Sequence, residues 1–193
     1  LVTHICGSMS ALCEGEILQS DHAARFDLTR KDYLDIIFKK TASLIGVSAS
    51  AGALAVGAPR DKVALMRRFG ESVGMAFQIQ DDILDYTAEG QAGKPAFNDL
   101  REGKITLPLL CVLERMDEER RAQIIGRLRR CGQDADAMEY LQRIVVNEDG
   151  IASAVSVMRS YLSQAVDLLA AYEVSPYRKA MVELCAYVGE RDH

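Results

Sequence analysis

The sequence has little of the material from which several protein classes are built. Its 193 residues contain no Trp, only 4 Pro, and no Cys-x-x-Cys or Cys/His cluster with zinc spacing. The 5 cysteines are scattered and odd in number, which favours reduced, mostly buried thiols over a disulfide scaffold or a metal role. The formal net charge of 23 − 28 = −5 lacks the basic excess of a general nucleic-acid binder, so we expect no nucleic-acid partner.

Membrane and targeting signals are also missing. The longest uncharged run, residues 41–59, has the length of a short membrane span, but it is rich in Gly, Ser and Ala. A span needs about 20 strongly apolar residues, so this run predicts a tightly packed core helix and no transmembrane segment. No signal-peptide pattern is present, and we expect a cytoplasmic protein. The chain starts Leu1-Val2-Thr3 without an initiator Met, which predicts a piece of something longer.

Helical periodicity runs through almost the whole chain, and no convincing strand alternation interrupts it. We therefore predict an all-α layered bundle. Thr29 followed by Asp32 resembles a capping box, and Ser175-Pro176 is typical of a helix start. The segment 21–30 reads as a polar connector, and 88–104 is the longest loop. The predicted helices are 1–19, 30–55, 61–87, 105–116, 118–130, 134–147, 150–172 and 176–189.

Four oxygen-bearing side chains share one arc of the predicted helix 61–87. At about 100° per residue, Gln78, Asp81, Asp82 and Asp85 fall within roughly 100° of one another. Like charges at these spacings repel, so the helix needs a cation from elsewhere. Hard carboxylate oxygens suit Mg²⁺, which also bridges to phosphate. The alternative is a solvated acidic face, but the apolar flanks of the run argue against it.

Lysines occur near this arc in two further patterns. Lys40 lies on the apolar stripe of its predicted helix, where it either snorkels to solvent or faces a polar cavity that holds an anion. The loop 93–104 carries Lys94 and Lys104 and is either an ordinary surface loop or a lid. Together with the carboxylates, these lysines predict a site for a Mg²⁺-bound polyphosphate.

These segments resemble a known family. Residues 74–85, 93–95 and 99–108 are similar to the second aspartate-rich region of the trans-type polyprenyl (isoprenyl) diphosphate synthases. Lys40-Thr41-Ala42 resembles that family's Lys-Thr motif, and residues 13–19 resemble the helix that precedes it. The matches keep the family's order and spacing over the first 108 residues; the remainder fits only as generic helices.

The resemblance implies an all-α isoprenoid synthase fold and a prenyltransferase that condenses isopentenyl diphosphate with an allylic diphosphate, with Mg²⁺ as cofactor. Residues 1–193 would be the C-terminal part of a single polyprenyl synthetase domain whose N-terminal helices, with the first D-D-x-x-D motif, are absent. We expect this chain alone to make no polyprenyl product, and the full-length protein to be a homodimer.

Carried over by position, the resemblance makes Asp81 the main metal ligand. Asp82 and Asp85 would support it directly or through water. Lys40 and Lys94 would bind the allylic diphosphate.

The remaining implied roles concern positioning and the pocket. Thr41 and Gln78 would position the substrate and stabilise the developing allylic cation. Lys104 would order the acidic cluster or the closing loop, and Phe77 would line the pocket for the isopentenyl group. One departure is visible, because Phe97 stands where many relatives have Gly.

Three other functions compete with this one. A non-catalytic small subunit of a heteromeric prenyl synthase fits the length, although the missing initiator Met argues against it. A class I terpene cyclase shares the fold but differs in its metal motifs. A di-iron bundle needs two Glu-x-x-His pairs, and only Glu190-x-x-His193 is present.

Overall fold

The computed structural model describes residues 2–87 and 97–191. Within these ranges every regular element is a helix and no strand occurs, which confirms the all-α prediction. The helices are α1 (Val2–Arg25), α2 (Arg30–Ile37), α3 (Ser43–Ala55), α4 (Arg60–Thr87), α5 (Asn98–Arg101), α6 (Leu107–Leu113), α7 (Glu118–Leu128), α8 (Ala135–Asn147), α9 (Gly150–Leu169) and α10 (Pro176–Glu190).

The first helix is longer than predicted. It continues through most of the expected connector to Arg25, whose guanidinium lies 2.5 Å from the Asp21 carboxylate one turn earlier. Such i,i+4 pairs support a helix even where apolar periodicity is lost. Phe26, with φ of 58°, then ends the helix in a left-handed conformation.

The predicted caps at Thr29 and Ser175 are confirmed. The Thr29 hydroxyl lies 2.5 Å from Asp32 Oδ2 and accepts the Asp32 backbone N–H at 3.2 Å, while Ser175 Oγ accepts the Arg178 N–H at 3.2 Å. Each bond satisfies a donor or acceptor that a helix start leaves unpaired.

The predicted single helix 30–55 is interrupted by a short π-helix, Phe38–Ala42, between α2 and α3. We call this segment the π-turn. A π-turn inserts one extra residue into a helix, and such turns occur often at functional sites. This one contains Lys39, Lys40 and Thr41. Apolar periodicity alone does not reveal it, because the residues on both sides keep the helical pattern.

The chain falls into two compact units. Their described residues are 2–18, 34–80 and 157–191 for the first, and 19–33, 81–87 and 97–156 for the second. The one-domain prediction is not tested by this division, since α1, α4 and α9 each run through both units.

Glycines bring α3 and the π-turn close to α4 in the first unit. A Cβ on Gly70 would lie 2.7 Å from the Ile45 carbonyl oxygen, and one on Gly74 would lie 2.6 Å from Ala42 Cα. Side-chain carbon at either position would overlap backbone, so the two helices meet at their main chains. The Gly-, Ser- and Ala-rich run 41–59 contributes to this close packing at Ala49, whose Cβ would lie 2.9 Å from a Cβ on Gly70, whereas a Cβ on Gly52 meets nothing within 4 Å.

The second unit has a core built largely on α6, in which every residue from Leu107 to Leu113 is buried. Among the described cysteines all five are free; Cys111, Cys131 and Cys185 are buried and the other two exposed. A search of the described helices finds none with the length and apolar character that a bilayer crossing requires.

Candidate active site

The predicted acidic arc lies near the C-terminal end of α4, and its three carboxylates have different surroundings. Asp81 is exposed, Asp82 is buried with 6% of its surface accessible, and Asp85 is intermediate. We call Asp81–Thr87 the acidic turn. The different burial gives each carboxylate a different capacity to bind a ligand.

Asp82 is held by a buried tyrosine. The Tyr33 hydroxyl donates to Asp82 Oδ2 at 2.7 Å, and Tyr33 itself is 3% exposed. Burial, reinforced by the negative charge of Asp82, raises the pKa of Tyr33 well above its usual value. The phenol therefore keeps its proton and donates a hydrogen bond to the carboxylate. Sequence analysis gave Tyr33 no role, because the tyrosine lies 49 residues from its partner.

Asp85 caps the short helix that follows. Its Oδ1 accepts the backbone N–H of Asn98 and its Oδ2 that of Asp99, each at 3.0 Å, while its carbonyl accepts the Phe97 N–H at 2.7 Å. Burial, with the nearby Asp85 charge, raises the pKa of Asp99. Helix α5 lies inside the predicted loop 88–104, where four residues are too few for a periodic signal.

Phe97 has a backbone conformation that is uncommon for residues other than glycine. Its φ of 63° and ψ of 34° are left-handed, a region that glycine enters without steric cost. Its ring meets Tyr86 edge to face, with centroids 5.7 Å apart. Phe97 thus combines a backbone conformation that costs a non-glycine residue about 1 kcal/mol with an aromatic contact.

Lys104 belongs to the same segment. Its Nζ lies 2.5 Å from Glu102 and 3.7 Å from Asp99, and its backbone N–H donates to the Asp99 carbonyl at 2.8 Å. Burial alone would lower the pKa of Lys104, but the two carboxylates outweigh it and the pKa rises. These contacts tie Lys104 to α5. Lys94, the other predicted lysine of the loop, lies outside the described residues.

No cluster of three or more His, Cys, Asp or Glu side chains placed to hold a metal ion occurs in residues 2–87 and 97–191. Asp82 and Asp85 accept the hydrogen bonds from protein donors described above. The metal assignment therefore remains a prediction.

Lys40 lies in the first unit, where it forms an ion pair with a carboxylate. Its Nζ is 3.0 Å from Glu16 of α1, and 24% of its side chain is exposed. The Lys40 ammonium therefore lies beside a negative charge, neither alone in apolar surroundings nor fully exposed to solvent. Glu16 belongs to the segment 13–19 that the resemblance had marked.

Thr41 and Gln78, to which the resemblance assigns a common role, are hydrogen-bonded to each other. Thr41 Oγ1 donates to Gln78 Oε1 at 2.8 Å, from the π-turn to α4. This bond fixes the orientation of both side chains. It depends on the close approach that Gly74 allows one turn earlier on α4.

Phe77 contacts a residue that sequence analysis did not mark. The Arg191 guanidinium lies 4.0 Å from the centre of the Phe77 ring, and its Nη2 donates to the Phe77 carbonyl at 3.1 Å. Gln80 Nε2 in turn donates to the Arg191 carbonyl at 2.8 Å. No local pattern near the C-terminus signals this cation–π contact, because it spans 114 residues.

Comparison with known proteins decides the family. The model of the polyprenyl synthetase family matches residues 1–145. The chain belongs to the polyprenyl synthetase family. It is 40% identical over 185 residues to the heptaprenyl diphosphate synthase component 2 of Geobacillus stearothermophilus, an alignment that covers 94% of this chain and 56% of that protein.

Other relatives agree. A short chain isoprenyl diphosphate synthase of Methanothermobacter thermautotrophicus is 34% identical over 98% of this chain and 58% of its own length. A crystal structure of polyprenyl synthase from Caulobacter crescentus, complexed with calcium and isoprenyl diphosphate, superposes with a TM-score of 0.91 at 30% identity. The superposition covers 100% of this chain and 59% of the Caulobacter crescentus chain. The chain thus spans somewhat more than half the length of the relatives it matches.

Proposed function

We propose that this chain contributes the second aspartate-rich motif and the Lys-Thr motif to a magnesium-dependent prenyltransferase. The whole protein would condense isopentenyl diphosphate with an allylic diphosphate and extend a linear isoprenoid diphosphate. The observation that carries the proposal is the acidic turn, where two carboxylates are fixed by protein donors and Asp81 is exposed. The relatives named as prenyl synthases supply the substrate class.

The donor chemistry of the acidic turn fits Mg²⁺. This ion prefers carboxylate oxygens, accepts only one or two of them, and keeps several waters, so one exposed aspartate beside two fixed ones meets its needs. The calcium in the Caulobacter crescentus structure supports a divalent cation for the family. Asp81 would be the direct ligand. Asp82 and Asp85 would hold the acidic turn in place and support the ion through water. Bound Mg²⁺ supplies the positive charge that stabilises a departing diphosphate.

The other residues act on the organic substrates. Lys40 and Lys94 bind the allylic diphosphate as mobile positive charges. Thr41 and Gln78, oriented by their mutual hydrogen bond, stabilise the allylic cation through their oxygen dipoles. Lys104 orders the segment that Asp85 caps, and Phe77 lines the isopentenyl pocket.

The test uses the complete protein that contains this chain. Labelled isopentenyl diphosphate and an allylic diphosphate are incubated with it and Mg²⁺, and chain-extended diphosphates are measured. Asp81→Asn should lower kcat/KM by about 100-fold or more. Asp61→Asn, which removes the same charge from the exposed start of α4, should leave it unchanged. Full activity of Asp81→Asn, or no transfer by the wild-type protein, contradicts the proposal.

A heteromeric enzyme is the second candidate, because one relative is named component 2 of a heptaprenyl diphosphate synthase. Size-exclusion chromatography with light scattering, followed by the transfer assay, separates it from the homodimer that we favour. A class I terpene cyclase would release cyclic hydrocarbon rather than linear diphosphate in the same assay. We place the protein in the cytoplasm, the compartment that five free thiols favour.

A further inference from the structure

Two adjacent lysines of the π-turn pair with two acidic residues of α1. Lys39 Nζ lies 2.8 Å from Glu14, and Lys40 Nζ lies 3.0 Å from Glu16. Both carboxylates are more than half exposed, at 60% and 55%. Lys39 also contacts Asp35 of α2 at 2.7 Å.

Gly15 lies between the two glutamates and is buried. A Cβ there would be 2.7 Å from Lys40 Cγ, 3.1 Å from Lys39 Cβ and 3.3 Å from the Ile36 carbonyl oxygen. The stem of Lys40 therefore passes directly over the bare Cα of Gly15. Any larger residue must move the first half of the Lys40 side chain or push α1 away from the π-turn.

From these contacts we propose that Gly15 and Glu16 position Lys40 for diphosphate binding. Gly15 sets the path of the stem, and the Glu16 carboxylate holds the ammonium until a diphosphate replaces it. The inference rests on the proposed function, which makes Lys40 a diphosphate ligand. It adds that Glu16 competes with the diphosphate for the same ammonium.

The exposure of the Glu16 carboxylate explains how the pair can exchange. Because the Glu16 carboxylate is more than half exposed to solvent, its attraction to Lys40 is weakened by water, and a diphosphate, which carries more than one negative charge, can displace it. An ammonium has three donors, and the stem over Gly15 keeps them within one small region during the exchange. Lys39 is held between Glu14 and Asp35, and the proposal gives it no role in diphosphate binding.

Gly15 and Glu16 should have effects of opposite sign, which a purely structural role for both would not produce. Glu16→Gln removes the competing charge but keeps the size of the side chain, and should tighten binding by about three- to five-fold. Gly15→Ala displaces Lys40 and should weaken binding about tenfold or more. Glu14→Gln, the matched control, should leave binding unchanged.

The experiment measures the affinity of the complete protein for inorganic pyrophosphate with Mg²⁺ by calorimetry, and the KM for an allylic diphosphate. A Glu16→Gln variant that binds no more tightly than Glu14→Gln overturns the inference, because this substitution leaves the α1 backbone contact intact. Circular dichroism shows whether Gly15→Ala is folded. The proposed function has its own readout: if the wild-type protein transfers no isopentenyl group, that function fails and this inference with it, whereas transfer without the Glu16 effect overturns only the inference.

Discussion

Helix α4 is positioned by opposite means along its length. From Gly70 to Gly74 it is positioned by close packing, since the two glycines let its backbone touch that of α3 and the π-turn. From Asp81 onward it is fixed by hydrogen bonds from Tyr33 and from α5. Contact through backbone tolerates no added atom, whereas each hydrogen bond secures one carboxylate and can be removed singly.

The difference bears on what each part can do. The close packing at Gly70 and Gly74 sets the distance between Thr41 and Gln78. A side chain added at either glycine would therefore change that distance. The acidic turn can give its carboxylates separate tasks, because Asp82 is buried, Asp85 is half-buried and Asp81 is exposed. Four predictions test this contrast, beginning with the largest expected effect.

Gly74→Ala should destabilise the protein by about 3 kcal/mol, because the new methyl group overlaps backbone that cannot move aside. It should also break the Thr41–Gln78 bond. Urea unfolding measures the loss. Gly52→Ala is the control: its Cβ meets nothing within 4 Å, and alanine favours a helix by about 1 kcal/mol. Equal stabilities for the two variants would show that α3 and α4 do not meet at their backbones.

Tyr33→Phe should lower the free energy of unfolding by about 2 kcal/mol, since it removes a hydrogen bond to a buried carboxylate. Thermal or urea unfolding provides the measurement. Tyr187→Phe, at a tyrosine that is 59% exposed, should change nothing. A Tyr33→Phe protein as stable as the wild type would mean that Asp82 is not anchored by the phenol.

Alkaline stability should depend on the same residue. The pKa values of Tyr33 and Tyr86 are raised in the folded protein, chiefly by burial, so the folded state retains their protons. Their contribution is fully present below the unfolded pKa of about 10 and decreases as the pH rises above it. Tyr33→Phe should therefore flatten the fall of unfolding free energy above pH 10. An unchanged slope would contradict the burial of a protonated Tyr33.

The smallest effect is expected at Phe97. Phe97→Gly relieves the left-handed backbone, by about 1 kcal/mol, but loses the contact with Tyr86, which contributes a similar amount. Its stability should therefore be near that of the wild type. Phe97→Ala loses the ring without relieving the backbone, and should be about 1 kcal/mol less stable than the glycine variant. The reverse order in denaturant unfolding would show that φ at this position is not positive.

The features that could be predicted from the sequence are those that depend on residues close together in the chain. The helical arc of Gln78, Asp81, Asp82 and Asp85 follows from spacing alone, and the caps at Thr29 and Ser175 depend on residues three positions apart. The family followed from motifs in order. Even so, the spacing placed the three aspartates on one face without showing that one is exposed, one half-buried and one buried.

The remaining features are non-local or break the helical period. Tyr33 and Arg191 act on α4 across 49 and 114 residues, and no periodicity links such partners. The π-turn shifts the register by one residue without changing composition. Helix α5 is capped by Asp85, a residue 13 positions earlier, so it has no start signal of its own.

The most direct test of the assignment within the acidic turn is a crystal structure of the complete protein with Mn²⁺ and inorganic pyrophosphate. Anomalous scattering locates the ion. We predict a peak about 2.1 Å from an Asp81 oxygen, with the Tyr33–Asp82 bond and the Asp85 cap of α5 intact. An ion bound directly to Asp82 or Asp85, with Asp81 turned away, would contradict the account.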